Sequence, residues 1–279
     1  MPDATRQPGD SMTPLPRTHP LPAPATACLV MAFALLLTAG CADESGGAPA
    51  LSPAEAACKL AADGALSPCS KPKQTAAYYV DQAQRYFDAL DVSAPADRTP
   101  TYAELAVRWE WTPWLKLTGF TRQQLESTDK LVKKFAPALV THRDCRAFAV
   151  QPFARCRVSF DYQDQGNGKP CFIYEEFTFN DAGEQTFIEA WSDLPGLSPM
   201  VDASDPWAEH TAIHRLSTRV PGLGTASGRI DLDGVAMQQA AAQDPEVADL
   251  VARAKNFWPA WTAESELQGP DYFTRGCGW

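Results

Sequence analysis

The sequence predicts an α+β protein: an antiparallel sheet covered by N-terminal helices and followed by a helical C-terminal extension. Three observations carry this. Residues 171–193 hold two runs rich in aromatic and β-branched residues, Phe172–Phe179 and Gln185–Trp191, on either side of Asn180-Asp181-Ala182-Gly183, whose Asn/Asp and Gly suit a tight hairpin. Before this hairpin, residues 76–91 place Val80, Ala83, Phe87 and Leu90 at helical spacing. After it, Asp205-Pro206 and Asp244-Pro245-Glu246 have the form of helix starts, with an N-cap, proline at the first helical position and, in the second, an acid in the first turn.

Taken in order, residues 28–39 (CLVMAFALLLTA) form an apolar run shorter than the roughly 20 residues a spanning helix needs, with Arg6 and Arg17 upstream. This is the pattern of a signal-peptide core. Leu37-Thr38-Ala39-Gly40-Cys41 follows and resembles the bacterial lipobox. The resemblance implies cleavage after residue 40, lipidation of Cys41, and a membrane-anchored protein of the cell envelope on the periplasmic or outer-membrane face. Residues 41–51 read as a flexible tether. Ser52-Pro53-Ala54-Glu55 opens a helix within 52–74 that Cys58 and Cys69 bracket.

Thr101-x-x-Glu104 has the form of a capping box and predicts a short helix through Val107, before strand-like alternation around Trp109 and Trp111. Thr121 can cap a helix from Arg122 to Phe135, and four strands follow at about 139–150, 154–162, 171–179 and 185–192. The helix begun at Asp244 is expected to carry Val247, Leu250, Val251, Ala254, Phe257, Trp258 and Trp261 on one face.

The 279 residues carry a formal charge of −10, which argues against nucleic acid and against electrostatic docking on anionic lipid. Cleavage after residue 40 leaves six cysteines besides Cys41, an even number that suggests disulfides in an exported chain. Cys145 and Cys156 flank Gln151-Pro152 as cross-strand neighbours would, and Cys58 and Cys69 bracket one helix. Cys171 is then left with Cys277, a pair that would pin the tail to the sheet.

The element order is similar to that of the nuclear-transport-factor-2-like superfamily, and within it the SnoaL-like domains. The resemblance rests on Val107–Glu110 as first strand, Leu117–Arg122 entering the helix after it, and Glu176–Gly183 with Ile188-Glu189 as the closing hairpin. It covers residues 75–193, with 194–279 outside it. It implies a curved sheet wrapped by helices into a cone-like domain with an apolar pocket. Its members include cofactor-free isomerases, cyclases, dehydratases and hydrolases, and also binding and dimerisation modules, so the fold leaves function open. Many members carry an Asp before the first strand where this chain has Ala106-Val107, so no catalytic role carries over.

An acid–base site of this kind needs a carboxylate in an apolar pocket. Glu175, Glu189 and Asp193 are the catalytic candidates, with Glu110, Glu176 and His142 also on strands; the ordinary alternative is a solvated face or a structural hydrogen bond. Tyr79, Trp109, Trp111, Trp114, Phe177 and Trp191 are the candidate pocket residues, core packing being the alternative. No cofactor or metal is expected: no CxxC pair is present, His210 and His214 lack a third ligand, and Asp231-Leu232-Asp233-Gly234 is half a calcium loop that suits a helix cap better. Three readings stay open: binding of an apolar small molecule or a protein partner, a cofactor-independent enzyme, and a homodimer formed through the exposed face of the sheet.

Overall fold

The structure, a computed structural model, describes residues 71–149, 151–208, 215–222, 230–263 and 272–279, all within one compact unit. Cys41, the tether, the Cys58–Cys69 pair and the two histidines at 210 and 214 lie outside the described residues.

Helix α1, Ala76–Leu90, starts where the Thr75 hydroxyl accepts from the Tyr78 amide at 3.2 Å. Its stripe of Tyr79, Ala83, Tyr86, Phe87 and Leu90 is buried. Strand β1 is Tyr102–Glu110 and β2 is Leu117–Gly119; α2, Arg122–Phe135, is capped by Thr121 as its sequence predicts. Strands β3 (Ala138–Ala147), β4 (Phe153–Tyr162), β5 (Cys171–Phe179) and β6 (Gln185–Ser192) form an antiparallel meander. The hairpin that joins β5 to β6 uses Gly183 at φ 84°, where a Cβ would also run into the Tyr78 ring.

Two expectations are corrected here. Thr101-x-x-Glu104 opens no helix: from Tyr102 the chain is already strand, because β1 finds partners on both sides, β2 and β6. Tertiary pairing, with apolar side chains buried on both faces, outweighs the local capping signal. The sheet is also mixed rather than antiparallel. Its order is β2-β1-β6-β5-β4-β3, and β1 runs parallel to β6.

Strand alternation divides the core in two. Toward α1 and α2 point Ala106, Val158, Ile173, Phe177 and Ile188, packed on Tyr79, Tyr86, Phe87 and Leu125. Away from the helices point Val107, Trp109 and Phe187, and residues of the tail cover them: Leu216, Val220, Met237, Leu250, Phe257 and Trp261. Tyr174 and Trp191 pack there on Met200 and Ala208. Over β1 and β6, therefore, the tail covers the face of the sheet opposite the helices.

The tail helices are α3 (Val235–Gln243), α4 (Pro245–Lys255) and α5 (Phe257–Ala263). Asp244 caps α4 as expected. Asp205-Pro206 starts no helix: the Asp205 carboxylate accepts from the Trp207 amide in a turn. The single face expected from Val247 to Trp261 is broken at Asn256, leaving Trp258 42% exposed. Gly234, not an Asp, takes the N-cap of α3, and Asp231 closes a turn onto the Asp233 amide. Cys145 and Cys156 face each other across β3 and β4 and are disulfide-bonded, as are Cys171 and Cys277. Among the described residues no helix is long and apolar enough to cross a membrane.

Candidate functional site

Strand pairing sets three side chains in one row. Ala190 at the centre of β6 pairs with Glu110 on β1 and with Glu175 on β5. Two strand spacings separate the acids, roughly 10 Å between their Cα atoms. The small Ala190 side chain leaves space between them on the helix-facing side. A cavity of about 60 Å³ occupies that space, lined by Glu110, Glu175, Ala190 and Arg108 from the sheet. Tyr86, Leu90, Val132, Phe160, Tyr162, Ile173 and Trp114 complete its walls, and Tyr272 and Phe273 of the tail lie across it.

The tail is held there by several contacts. Tyr272 accepts from the Leu115 amide at 2.7 Å and donates to Glu110 Oε2 at 3.0 Å. The Ser192 hydroxyl donates to the Gly276 carbonyl at 2.7 Å, and Cys277 is bonded to Cys171. Gly276 is required at its position because a Cβ would lie 2.1 Å from the Trp114 ring.

Arg108 is the one buried cation of the cavity wall and its donors are committed. Nε donates to Thr118 Oγ1 at 2.8 Å, Nη2 to Thr128 Oγ1 at 2.8 Å, and Nη1 to Tyr86 and to Asp129. Tyr102 donates to the other Asp129 oxygen at 2.9 Å. Glu110 accepts from Thr118 at 3.1 Å and from Tyr272, and lies 3.8 Å from Arg108.

Glu175 differs. It is 3% exposed, and its Oε2 has no hydrogen-bond partner. Burial pushes its carboxyl up to about 8, against the pull of Arg108 and the Tyr86 hydroxyl, with Glu110 and Asp129 adding to the rise. Burial also raises Glu110, opposed by Arg108 and by the hydrogen bonds from Tyr272 and Thr118. Near neutral pH the site thus holds a neutral, proton-bearing Glu175 with one oxygen free to bond a guest.

A second buried network lies on the opposite face of the sheet. Glu176 accepts from Arg155 through Nε at 2.8 Å and Nη2 at 2.5 Å, and pairs with Arg215. Arg215 also reaches Glu189 at 3.0 Å, which accepts from the Leu216 amide at 2.8 Å and from Ser217. Arg155 donates to the Pro206 and Ala208 carbonyls. These bonds tie the tail to the sheet.

Of the acids proposed from the sequence, Glu175 lines the cavity. Glu189 does not: it is two residues from Phe187 on the face that the tail covers, and its charge is spent on Arg215. Asp193 lies past the end of β6, part-exposed, paired with Arg157 at 2.5 Å. Trp114 lines the cavity. Tyr79 and Phe177 belong to the helix-side core beside it. Trp109, Trp111 and Trp191 are on the other face, by the same parity that moves Glu189. Trp109 packs among tail residues, and Trp111 donates to Glu189 at 3.3 Å. His142 is exposed in edge strand β3, where the β3–β4 register shifts.

Sequence reasoning missed Arg108, Tyr86, Tyr162 and Tyr272. Parity was a usable signal for two of them: Arg108 shares a face with Glu110, and Tyr162 shares one with Val158 and Phe160. Tyr272 carried no signal beyond its nearness to Cys277.

No protein-family model matches the chain, and no curated protein does. A solved structure from Methylobium petroleophilum PM1, described as a protein of unknown function with cystatin-like fold, is similar at 15% identity with a TM-score of 0.30. The likeness covers 60% of this chain and 99% of that one, and at that score it carries no argument about function.

Proposed function

We propose that this is a lipid-anchored cell-envelope protein of the nuclear-transport-factor-2-like superfamily, with a SnoaL-like, cone-like domain that binds a small, largely apolar molecule between its helices and its sheet. The observation that carries the binding reading is the cavity between helices and sheet, with Glu175, one of whose buried carboxyl oxygens has no partner, among its lining residues. A buried polar atom without a partner costs about 1–3 kcal/mol, and a guest that bonds it recovers that cost. The element order, with two helices over one face of a meander and β1 added beside β6, supports the superfamily reading. The sequence around Cys41 supports the anchor.

A second reading, a cofactor-independent enzyme, is favoured by the pairing of Glu110 with Glu175. Burial raises both acids, but hydrogen bonds from Tyr272 and Thr118 oppose the rise at Glu110, whereas Glu175 is pushed up to about 8. Such a pair suits general acid–base transfer on a molecule held between them. Isomerase, cyclase, dehydratase or hydrolase chemistry all fall within that capacity.

Ligand-observed NMR with a library of small molecules tests the binding reading, with Ala190→Leu as the filled-cavity control. The expected result is a set of binders whose signals vanish in the variant while its melting temperature shows it folded. Binders that persist in Ala190→Leu, or no binder at all, would refute it. Radiolabelled palmitate incorporation that is lost in Cys41→Ser tests the anchor.

A further inference from the structure

We propose that the molecule this cavity takes is a small alkylammonium cation, held between Glu110 and Glu175 and walled by aromatic rings. The inference rests on the binding reading above and goes beyond it by naming the charge and size of the guest.

Charge balance is the first argument. One guanidinium, Arg108, faces three carboxyl groups: Asp129, Glu110 and Glu175. Asp129 is committed to it, and every donor group of Arg108 already has a protein partner. Glu110 lies 3.8 Å from the same guanidinium and accepts from Thr118 and Tyr272, so one cation serves three acids and no second cation stands in the cavity wall. The protein on its own answers the deficit by leaving Glu175 protonated. A cation in the cavity answers it equally, taking the place of that proton.

The second argument is the free valence. Glu175 lines the cavity, and its Oε2 is buried and accepts from no protein donor. An ammonium brings donors and no acceptor, which is the complement of what this oxygen lacks.

The walls supply the third. Tyr86, Trp114, Phe160, Tyr162 and Phe273 line the same space, and aromatic faces attract a desolvated cation by about 2 kcal/mol where water is excluded. They would equally take the guest's alkyl part. The volume limits the guest's size: about 60 Å³ holds on the order of four water-sized bodies. Propylammonium, with its four non-hydrogen atoms, fits that limit.

Proton flow is fixed by the same geometry. As an ammonium enters, the Glu175 O–H gives its proton to solvent and the carboxylate pairs with the N–H donors, so one proton leaves per cation bound. The groups that face Glu175 and share in this balance are Tyr86 from α1, Arg108 and Glu110 from β1, Asp129 from α2 and Tyr162 from β4, with Tyr272 bonded to Glu110.

The test is calorimetric titration of the full chain at pH 7 with propylammonium, propan-1-ol and propionate, repeated in two buffers of different ionisation heat. Propylammonium is expected to bind about tenfold or more tighter than the alcohol, with release of close to one proton per site. Glu175→Gln is expected to lose that preference while still binding the alcohol. If propan-1-ol or propionate binds as tightly as propylammonium, the cation reading falls and the cavity reading stands. If none of the three binds, both fall. Propylammonium binding that is unchanged in Glu175→Gln, or that releases no proton, also overturns the assignment, and the comparison of probes on the wild-type chain does not depend on how that variant folds.

Discussion

Replacing Glu175 by Gln should make this protein more resistant to unfolding at alkaline pH and leave it nearly unchanged in mild acid. The folded carboxyl titrates at about 8 against an ordinary value of 4.5. Below about pH 4.5 the group is protonated in both folded and unfolded chains and contributes nothing to the pH dependence. Between there and pH 8 the unfolded chain loses the proton while the folded chain keeps it, so stability falls as pH rises. Above pH 8 both states are ionised and the loss is complete. The gap of roughly 3.5 pH units, at about 1.4 kcal/mol each, sets a ceiling of roughly 5 kcal/mol. Water entry and relaxation around a buried charge reduce it, and about 2–4 kcal/mol is expected. Gln has the same shape and no charge, so the variant lacks this term. The assay is urea unfolding of both chains at pH 5, 7 and 9, read as the difference between them. Glu110 contributes in the same direction, and because it is coupled to Glu175 the difference reports the pair. The expected difference is below about 1 kcal/mol at pH 5 and grows in the variant's favour to pH 9. A difference that stays constant across the three pH values would refute the reasoning, because Glu175 would then titrate as an ordinary exposed acid.

Two further perturbations probe what surrounds the site. Glu189→Gln removes one of two carboxylates from the buried Arg155–Glu176–Arg215–Glu189 network; a loss of about 3–5 kcal/mol is expected, with faster amide exchange in 215–220 in hydrogen-exchange mass spectrometry, and unaltered exchange there would show that the network does not hold the tail. Gly276→Ala drives a methyl into the Trp114 ring, 2.1 Å from its nearest atom; a loss of about 1–3 kcal/mol in thermal unfolding is expected, with a shifted Trp emission, and a wild-type midpoint would mean that the tail does not lie against Trp114.

The meander, helices α1 and α2, and the 145–156 disulfide were legible because their signals are local: alternation, helical spacing, the capping threonine of α2, cysteines symmetric about a turn; the 171–277 disulfide followed only by elimination. The parallel placement of β1 was not, since Thr101 and Glu104 point to a helix and only the strands on either side reverse that. The site was half legible for a related reason. Parity correctly sets Glu175 apart from Glu189 but does not say which face is roofed by helices and which by the tail. Strands β5 and β6 carry acids on both faces, Glu175 on one and Glu176 and Glu189 on the other, as a partly solvated sheet would, yet both of their faces are buried. What reads as a wet surface is two dry ones, and the acids on each were kept by partners far away in sequence: Arg108 for one set, Arg155 and Arg215 for the other.

The tie between Cys171 and Cys277 joins positions 106 residues apart, and the Tyr272 hydroxyl reaches Glu110 across 162. All six strands end by Ser192, so the scaffold is complete before the wall that encloses its cavity is in place. A chain with reduced thiols would have the sheet, the helices and both acids, but no covalent constraint on Tyr272 and Phe273, and water could reach Glu175. The proton that carboxyl holds near neutrality depends on dryness, and so on oxidation of a bond remote from it. Thiol chemistry would in this way set an acid's charge.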